Sequence, residues 1–132
     1  MGYLTADAEK WADEMGQLIY ECTSLLGRAF TAYVGGAART PEIDAWTATP
    51  DEAARLARGR LETARRIAAL LTPAIGEAAT LAWFRTPDAA LGGISPADAL
   101  HRSAVPQVHS LLYGMARRQA SALVLNGAVP PR

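Results

Sequence analysis

The stretch WFRTPDAALGGISPADALHRS, residues 83–103, contains two hydroxyl-proline steps, Thr86-Pro87 and Ser95-Pro96, around a pair of glycines. A Ser or Thr side chain can cap the first turn of a helix. A proline that follows it loses no hydrogen bond, because the amide at that position would be unpaired anyway. Gly92-Gly93 supplies a turn between the two helix starts. The stretch therefore predicts short helices joined by a tight turn.

The same hydroxyl-proline step recurs upstream and predicts three further helix starts, at Thr40-Pro41, Thr49-Pro50 and Thr72-Pro73. Thr49 and Ser95 each have a carboxylate three positions later, as in a capping box. Half of the 132 residues are hydrophobic, and no long stretch alternates apolar with polar residues as strands do. We therefore predict an all-α fold, a compact bundle of seven or eight short and medium helices.

The predicted helices fall into two regions. Residues 1–71 form an N-terminal part, with a long linker helix over residues 50–71 that presents Leu56 on its apolar side. Residues 72–132 form a C-terminal part. It has a helix from Pro73 to Phe84 that buries Trp83, a helix from Pro96 to Arg102 and a last helix from Pro106 to Leu125. The tail, residues 126–132, contains Gly and two Pro residues, so we expect it to be flexible.

Charge is distributed unevenly along the chain, although the whole sequence is neutral. Residues 1–52 hold three basic and nine acidic side chains, and residues 53–132 hold ten basic and four acidic ones. This asymmetry predicts self-association or a charged partner. The lone cysteine indicates a reducing compartment. The absence of a signal peptide pattern and of a run of roughly twenty apolar residues predicts a cytoplasmic protein without membrane contact.

The first predicted helix begins at Thr5 or Asp7 and ends at Gly27. Its apolar residues recur at spacings of four, three, four and three, and they are Trp11, Met15, Leu18, Cys22 and Leu25. Such a seam either packs into the core or forms the interface of a homodimer. Both interpretations stay open at this point. A homodimer is the expected assembly, which light scattering can test.

Residues 26–46, LGRAFTAYVGGAARTPEIDAW, have the pattern of a helix-turn-helix, two short helices around a glycine turn. The second helix carries Glu42 and Asp44, which would repel phosphate. If operator DNA is bound, the expected contacts are Arg39, Thr40, Arg55 and Arg58. The alternative is a helical hairpin that packs Ile43 and Trp46 into the core.

The residues give little indication of catalysis. His101 and His109 are expected on neighbouring helices, and Cys22 lies on an apolar seam where a buried, inert thiol is expected. Neither glycine pair, at Gly35 or at Gly92, has the spacing of a phosphate-binding loop. We therefore expect a protein that is not an enzyme and has no cofactor or metal.

An ordered set of residues runs through the opening stretch: Trp83-Phe84, Thr86-Pro87-Asp88, Leu91-Gly92-Gly93, Pro96 and Leu100. This set resembles the C-terminal toxin-binding domain of the Xre/MbcA/ParS antitoxin family. Asp88 stands where that family commonly has Asn. Upstream, residues 26–46 and the Arg60-Leu61 step look like the family's degenerate Xre helix-turn-helix and linker helix, so the similarity covers residues 25–125.

The resemblance implies an antitoxin of a type II toxin-antitoxin pair. Such a protein neutralises a RES-domain toxin, an NAD-consuming enzyme, by direct binding, and it can also repress its own operon. Contact with the toxin is implied for Arg85, Asp88, Gly92, Gly93, Arg117, Arg118, Val129 and Arg132, whereas Trp83, Leu91 and Leu100 are expected to hold the small helices together. The alternative is a DNA-binding repressor of the Xre type without a cognate toxin.

Overall fold

The computed structural model describes residues 2–125, so the predicted tail of residues 126–132, with Val129 and Arg132, lies outside the described residues. Within the described range the helices are α1 Gly2–Leu26, α2 Arg28–Val34, α3 Glu42–Ala48, α4 Glu52–Ile75, α5 Glu77–Arg85, α6 Pro96–Arg102 and α7 Pro106–Leu125. A short 3-10 helix, Ala89–Leu91, lies between α5 and α6. Residues 2–125 contain no strand, only an isolated bridge between Asp88 and Ile94. The predicted all-α bundle is confirmed.

Helix α4 lies at the centre of the bundle, in contact with α1, α2, α3, α5 and α7. Its buried residues recur every three or four positions and are Ala54, Ala57, Leu61, Ala64, Ile67 and Leu71. The three alanines leave room for neighbouring helices to approach closely, while full burial of each larger side chain contributes about 1.5–3 kcal/mol. Leu56, expected on the apolar side, is 38% exposed because Ala57 and Leu61 occupy the inward face.

The seam of α1 packs into the core. Met15, Leu18 and Cys22 are buried within the single chain, and Trp11 and Leu25 pack against the same core while partly exposed. The three buried side chains cannot meet a second copy in this fold, so the dimer-seam interpretation is wrong for them. Burial against α4 satisfies the apolar surface that the spacing predicted.

The α2–α3 hairpin is fixed onto α4 through the turn at Gly35 and Gly36. The Trp46 ring fills the space beside Gly35, and the Arg60 side chain lies against Gly36 and donates from Nη1 to the Gly35 carbonyl at 3.3 Å. Gly36 adopts φ 99°, a left-handed conformation that favours glycine. Burial lowers the pKa of the Arg60 guanidinium. Ile43 and Trp46 are buried, as the helical-hairpin interpretation predicted.

Of the five hydroxyl-proline steps, Ser95-Pro96 forms the predicted cap, in which Ser95 Oγ accepts from the Asp98 amide at 3.1 Å. Helix α4 is instead capped by Asp51, whose Oδ1 accepts from the Ala54 amide at 2.9 Å. Helix α3 has no side-chain cap, and Asp88 rather than Thr86 caps the 3-10 helix. The carboxylates of Asp51 and Asp88 thus cap two of these starts, where a negative charge also interacts favourably with the helix dipole.

The helix start predicted at Thr72-Pro73 is wrong, because α4 continues through Pro73 to Ile75. Pro73 lies in the last turn, where the absence of its amide removes one hydrogen bond near an end that frays anyway. The break comes at Gly76, which adopts φ 89°. The predicted boundary between residues 71 and 72 therefore falls inside α4.

Gly35→Ala is expected to destabilise the protein by about 1–3 kcal/mol, since the new methyl group would overlap the Trp46 ring. Gly59→Ala is the matched control. Gly59 is inside α4 with no atom within 4 Å of an added Cβ, so alanine there should stabilise by up to about 1 kcal/mol. Urea denaturation followed by circular dichroism measures both. Equal effects would contradict the packing of Trp46 against this turn.

Candidate functional site

The connection between α5 and α6 is organised around Asp88. Its Oδ1 accepts from the Ala90 amide at 2.8 Å, its own amide donates to the Ile94 carbonyl at 3.0 Å, and its carbonyl accepts from the Gly93 amide at 3.0 Å. Gly92 and Gly93 adopt φ 74° and 89°, which favour glycine. These bonds fold the chain back on itself and hold the Asp88 side chain at the surface.

Trp83 and Phe84, adjacent residues near the end of α5, differ in burial. Phe84 is fully buried in the core, as is Leu100 of α6. Trp83 and Leu91 are only partly buried, and the Trp83 ring meets Phe84 edge to face with centroids 5.3 Å apart. Trp83 thus packs against the core on one side and lines the surface on the other. The prediction that Trp83 is buried is therefore correct only in part.

A surface cleft, which we call the Trp83 cleft, runs between α5, the Asp88 turn and α7. It has two adjoining lobes that share Trp83, Asp88 and Gln119. The proximal lobe has a volume of about 500 Å³ and is otherwise lined by Ile75, Ala79, Ala82, Thr86 and Pro96. The distal lobe has a volume of about 390 Å³ and is otherwise lined by Ala90, Met115, Arg118 and Ala122.

The structure brings together Asp88 and Arg118 of the residues implied in toxin binding, both of them in the distal lobe. Among the described residues they form no ion pair with each other or with any other side chain. Gly92 and Gly93 shape the turn but line neither lobe, and Arg117 is exposed outside both. Arg85 lies away from the cleft with its guanidinium carbon 4.8 Å from the centroid of the Phe30 ring.

Sequence reasoning missed the α7 side of the cleft, which is formed by Met115, Gln119 and Ala122. Their spacing of four and three places them on one helix face, and this pattern could have been read from the sequence. The other missed group is Ile75, Ala79 and Ala82, of which Ile75 ends α4 while the two alanines lie on α5 beyond the break at Gly76.

Of the residues predicted to contact DNA, Arg58 is already paired with two carboxylates. The Arg58 guanidinium donates to Glu62 at 2.8 Å and to Glu14 at 3.2 Å, and the bond to Glu62 contributes most to raising the pKa of Arg58. Thr40 is partly buried, and Arg39 and Arg55 are exposed.

Helix α3 presents Glu42 and Asp44 in its first turn. Asp44 is paired with Arg28 at 2.8 Å, and Glu42 accepts from the backbone amide of Arg39 at 2.6 Å. Two carboxylates at the surface of this helix disfavour phosphate contact, although Arg28 offsets the charge of Asp44. Both Glu42 and Asp44 are exposed at the surface of the hairpin.

The candidate catalytic side chains are engaged in structural contacts. His101 stacks on Tyr33 with ring centroids 4.0 Å apart, and its Nδ1 lies 2.7 Å from the Tyr33 carbonyl oxygen. His109 lies between Thr63 Oγ1 at 3.0 Å and the Ser103 carbonyl oxygen at 3.1 Å. Burial raises the pKa of the Cys22 thiol to about 12.

Comparison with known proteins identifies no relative of this chain: no family model, no curated protein and no solved structure matches it. Across residues 2–125, none of the helices has the length and apolar character needed to cross a bilayer. The interpretation of the Trp83 cleft therefore rests on its residues and their geometry.

Cys22 should resist alkylation in the folded protein, because a shift of its pKa from 9.0 to about 12 makes the thiolate about a thousandfold rarer below pH 9. The unfolded thiol ionises first as pH rises, so the contribution of Cys22 to stability is complete below pH 9 and falls between pH 9 and 12. Iodoacetamide labelling with and without urea measures the reactivity. Similar labelling rates in both conditions would contradict the burial.

Proposed function

We propose that the protein is an antitoxin that binds a RES-domain, NAD-consuming toxin through the Trp83 cleft and so neutralises it. One observation carries the proposal. The stretch whose residues resemble the toxin-binding domain of the Xre/MbcA/ParS family, residues 83–100, contributes Trp83, Asp88, Ala90 and Pro96 to a cleft that α7 completes.

The chemistry of the cleft supports a protein partner. Tryptophan and arginine are the residue types that contribute most at protein interfaces, and here Trp83 and Arg118 line the same distal lobe. Met115 also lines the distal lobe, but it belongs to the core and is only 8% exposed. Neither charged residue of the distal lobe has an ion-pair partner within the described chain, so both are available to the toxin.

The turn is already held in place before binding. The Asp88 and Ser95 caps and the Asp88–Ile94 bridge fix the backbone on both sides of Gly92-Gly93. A rigid surface loses less conformational entropy on association than a mobile loop does. Such rigidity gives a physical reason why several helix starts and stops lie within one short stretch.

Ala122→Arg is expected to abolish neutralisation, because a long charged side chain on α7 would occupy the distal lobe. The matched control is Ser121→Arg, which adds the same charge at an exposed neighbouring position that lines neither lobe. The measurement is NAD depletion in cells that co-express each variant with a RES-domain toxin, for which the genes adjacent to this one are inspected first. Full neutralisation by Ala122→Arg would show that the toxin does not bind in the cleft.

A gel-shift series with DNA from upstream of the gene separates this proposal from the repressor alternative. The repressor hypothesis predicts a retarded complex that weakens steeply with added salt and on substitution of Arg39 or Arg55 by Gln. The carboxylates of α3 and the pairing of Arg58 lead us to expect no such complex from the free protein. A salt-sensitive complex together with no effect on the toxin would favour the repressor.

A further inference from the structure

The proximal lobe of the Trp83 cleft contains one charged side chain, that of Asp88. Oδ1 of this carboxylate is used within the turn by the Ala90 amide, whereas Oδ2 has no hydrogen-bond partner among the described residues. The rest of the lobe is apolar apart from the Thr86 hydroxyl and the Gln119 amide. Thr86 Oγ1 already donates to the Ala82 carbonyl at 2.6 Å. The lobe thus offers one free anionic acceptor in mainly apolar surroundings.

The aromatic surface beside this acceptor suits a planar cation. Trp83 lines the same lobe as Asp88, and tryptophan is the best side chain for stacking a guanidinium group. A carboxylate oxygen accepts strong, charge-assisted hydrogen bonds from arginine. Arg118 lines the distal lobe and not the proximal one. Its positive charge therefore repels a cation from the distal lobe and favours the proximal lobe.

We infer that the proximal lobe receives an arginine side chain of the protein partner, stacked on Trp83 and bonded to Asp88, and that Asp88 determines this specificity. The inference rests on the proposed function in taking the partner to be a protein. The asparagine common at this position in the family that the chain resembles could also cap the Ala90 amide through its oxygen, but it lacks the charge. The Asp88→Asn substitution therefore separates the cap of the turn from recognition of the cation.

The test uses N-acetyl-argininamide as the probe and N-acetyl-citrullinamide, which has nearly the same shape without the charge, as its control. Binding to the full chain is followed by NMR through the indole N–H signal of Trp83, assigned with Trp83→Phe. The arginine probe should move this signal with an affinity about fivefold higher than the citrulline probe, as expected for one exposed ion pair and one cation–π contact.

Asp88→Asn should abolish the difference between the probes while leaving the amide spectrum of the turn intact. The matched control is Asp51→Asn, which removes another exposed capping carboxylate, at the start of α4 and outside the cleft. It should leave the difference unchanged. Arg118→Gln should strengthen binding of the arginine probe, since a repelling charge is removed.

Three outcomes would overturn the inference. Equal affinity for the two probes would show that the positive charge is not recognised. An undiminished difference in the Asp88→Asn variant would show that Asp88 is not responsible for the recognition. If the Arg132→Gln substitution shifts the indole N–H signal of Trp83 without any probe, then residue 132 of the chain itself, and not a partner's arginine, occupies the lobe. The probe experiment needs no toxin, so a failure of neutralisation with intact arginine binding would refute the proposed function alone.

Discussion

Close packing against the small residues of α4 is the constraint on which the other contacts depend. Ala54, Ala57 and Ala64 are buried on a helix that touches five others, and any larger side chain there would push a neighbour away. The approach of α1 encloses Met15, Leu18 and Cys22, and the approach of α7 forms one wall of the Trp83 cleft. The site is therefore a consequence of how closely helices can approach α4.

The uneven charge of the sequence is partly neutralised within the fold. Arg58 and Arg65 of α4 pair with Glu14 and Glu21 of α1, so the basic half of the chain meets the acidic half internally. The hydrogen bond from Arg65 is the main cause of the lowered pKa of Glu21. These pairs are exposed and contribute little to stability, but they remove part of the reason to invoke an external charged partner.

Asp88 connects the fold to the proposed function. As the cap of the 3-10 helix it holds the turn, and as a cleft residue it gives the proximal lobe its charge. A hydroxyl cap could perform the first task but not the second. Arg118, thirty residues later on α7, lines the distal lobe without pairing to Asp88, so both charges are exposed in the cleft.

Local sequence determined the helical class, the ends of α6, the start of α7 at Pro106, the stop at Gly27 and the Ser95 cap, because capping, helix propensity and glycine conformations act within a few residues. It could not show that α4 continues through Pro73, since packing along α4 outweighs one lost hydrogen bond. Nor could it decide between core and interface for the α1 seam, because both use the same apolar spacing. Only the tertiary structure joined Ile75, Trp83, Asp88 and Gln119 in one cleft, because contact between separate helices depends on crossing geometry that local patterns do not encode.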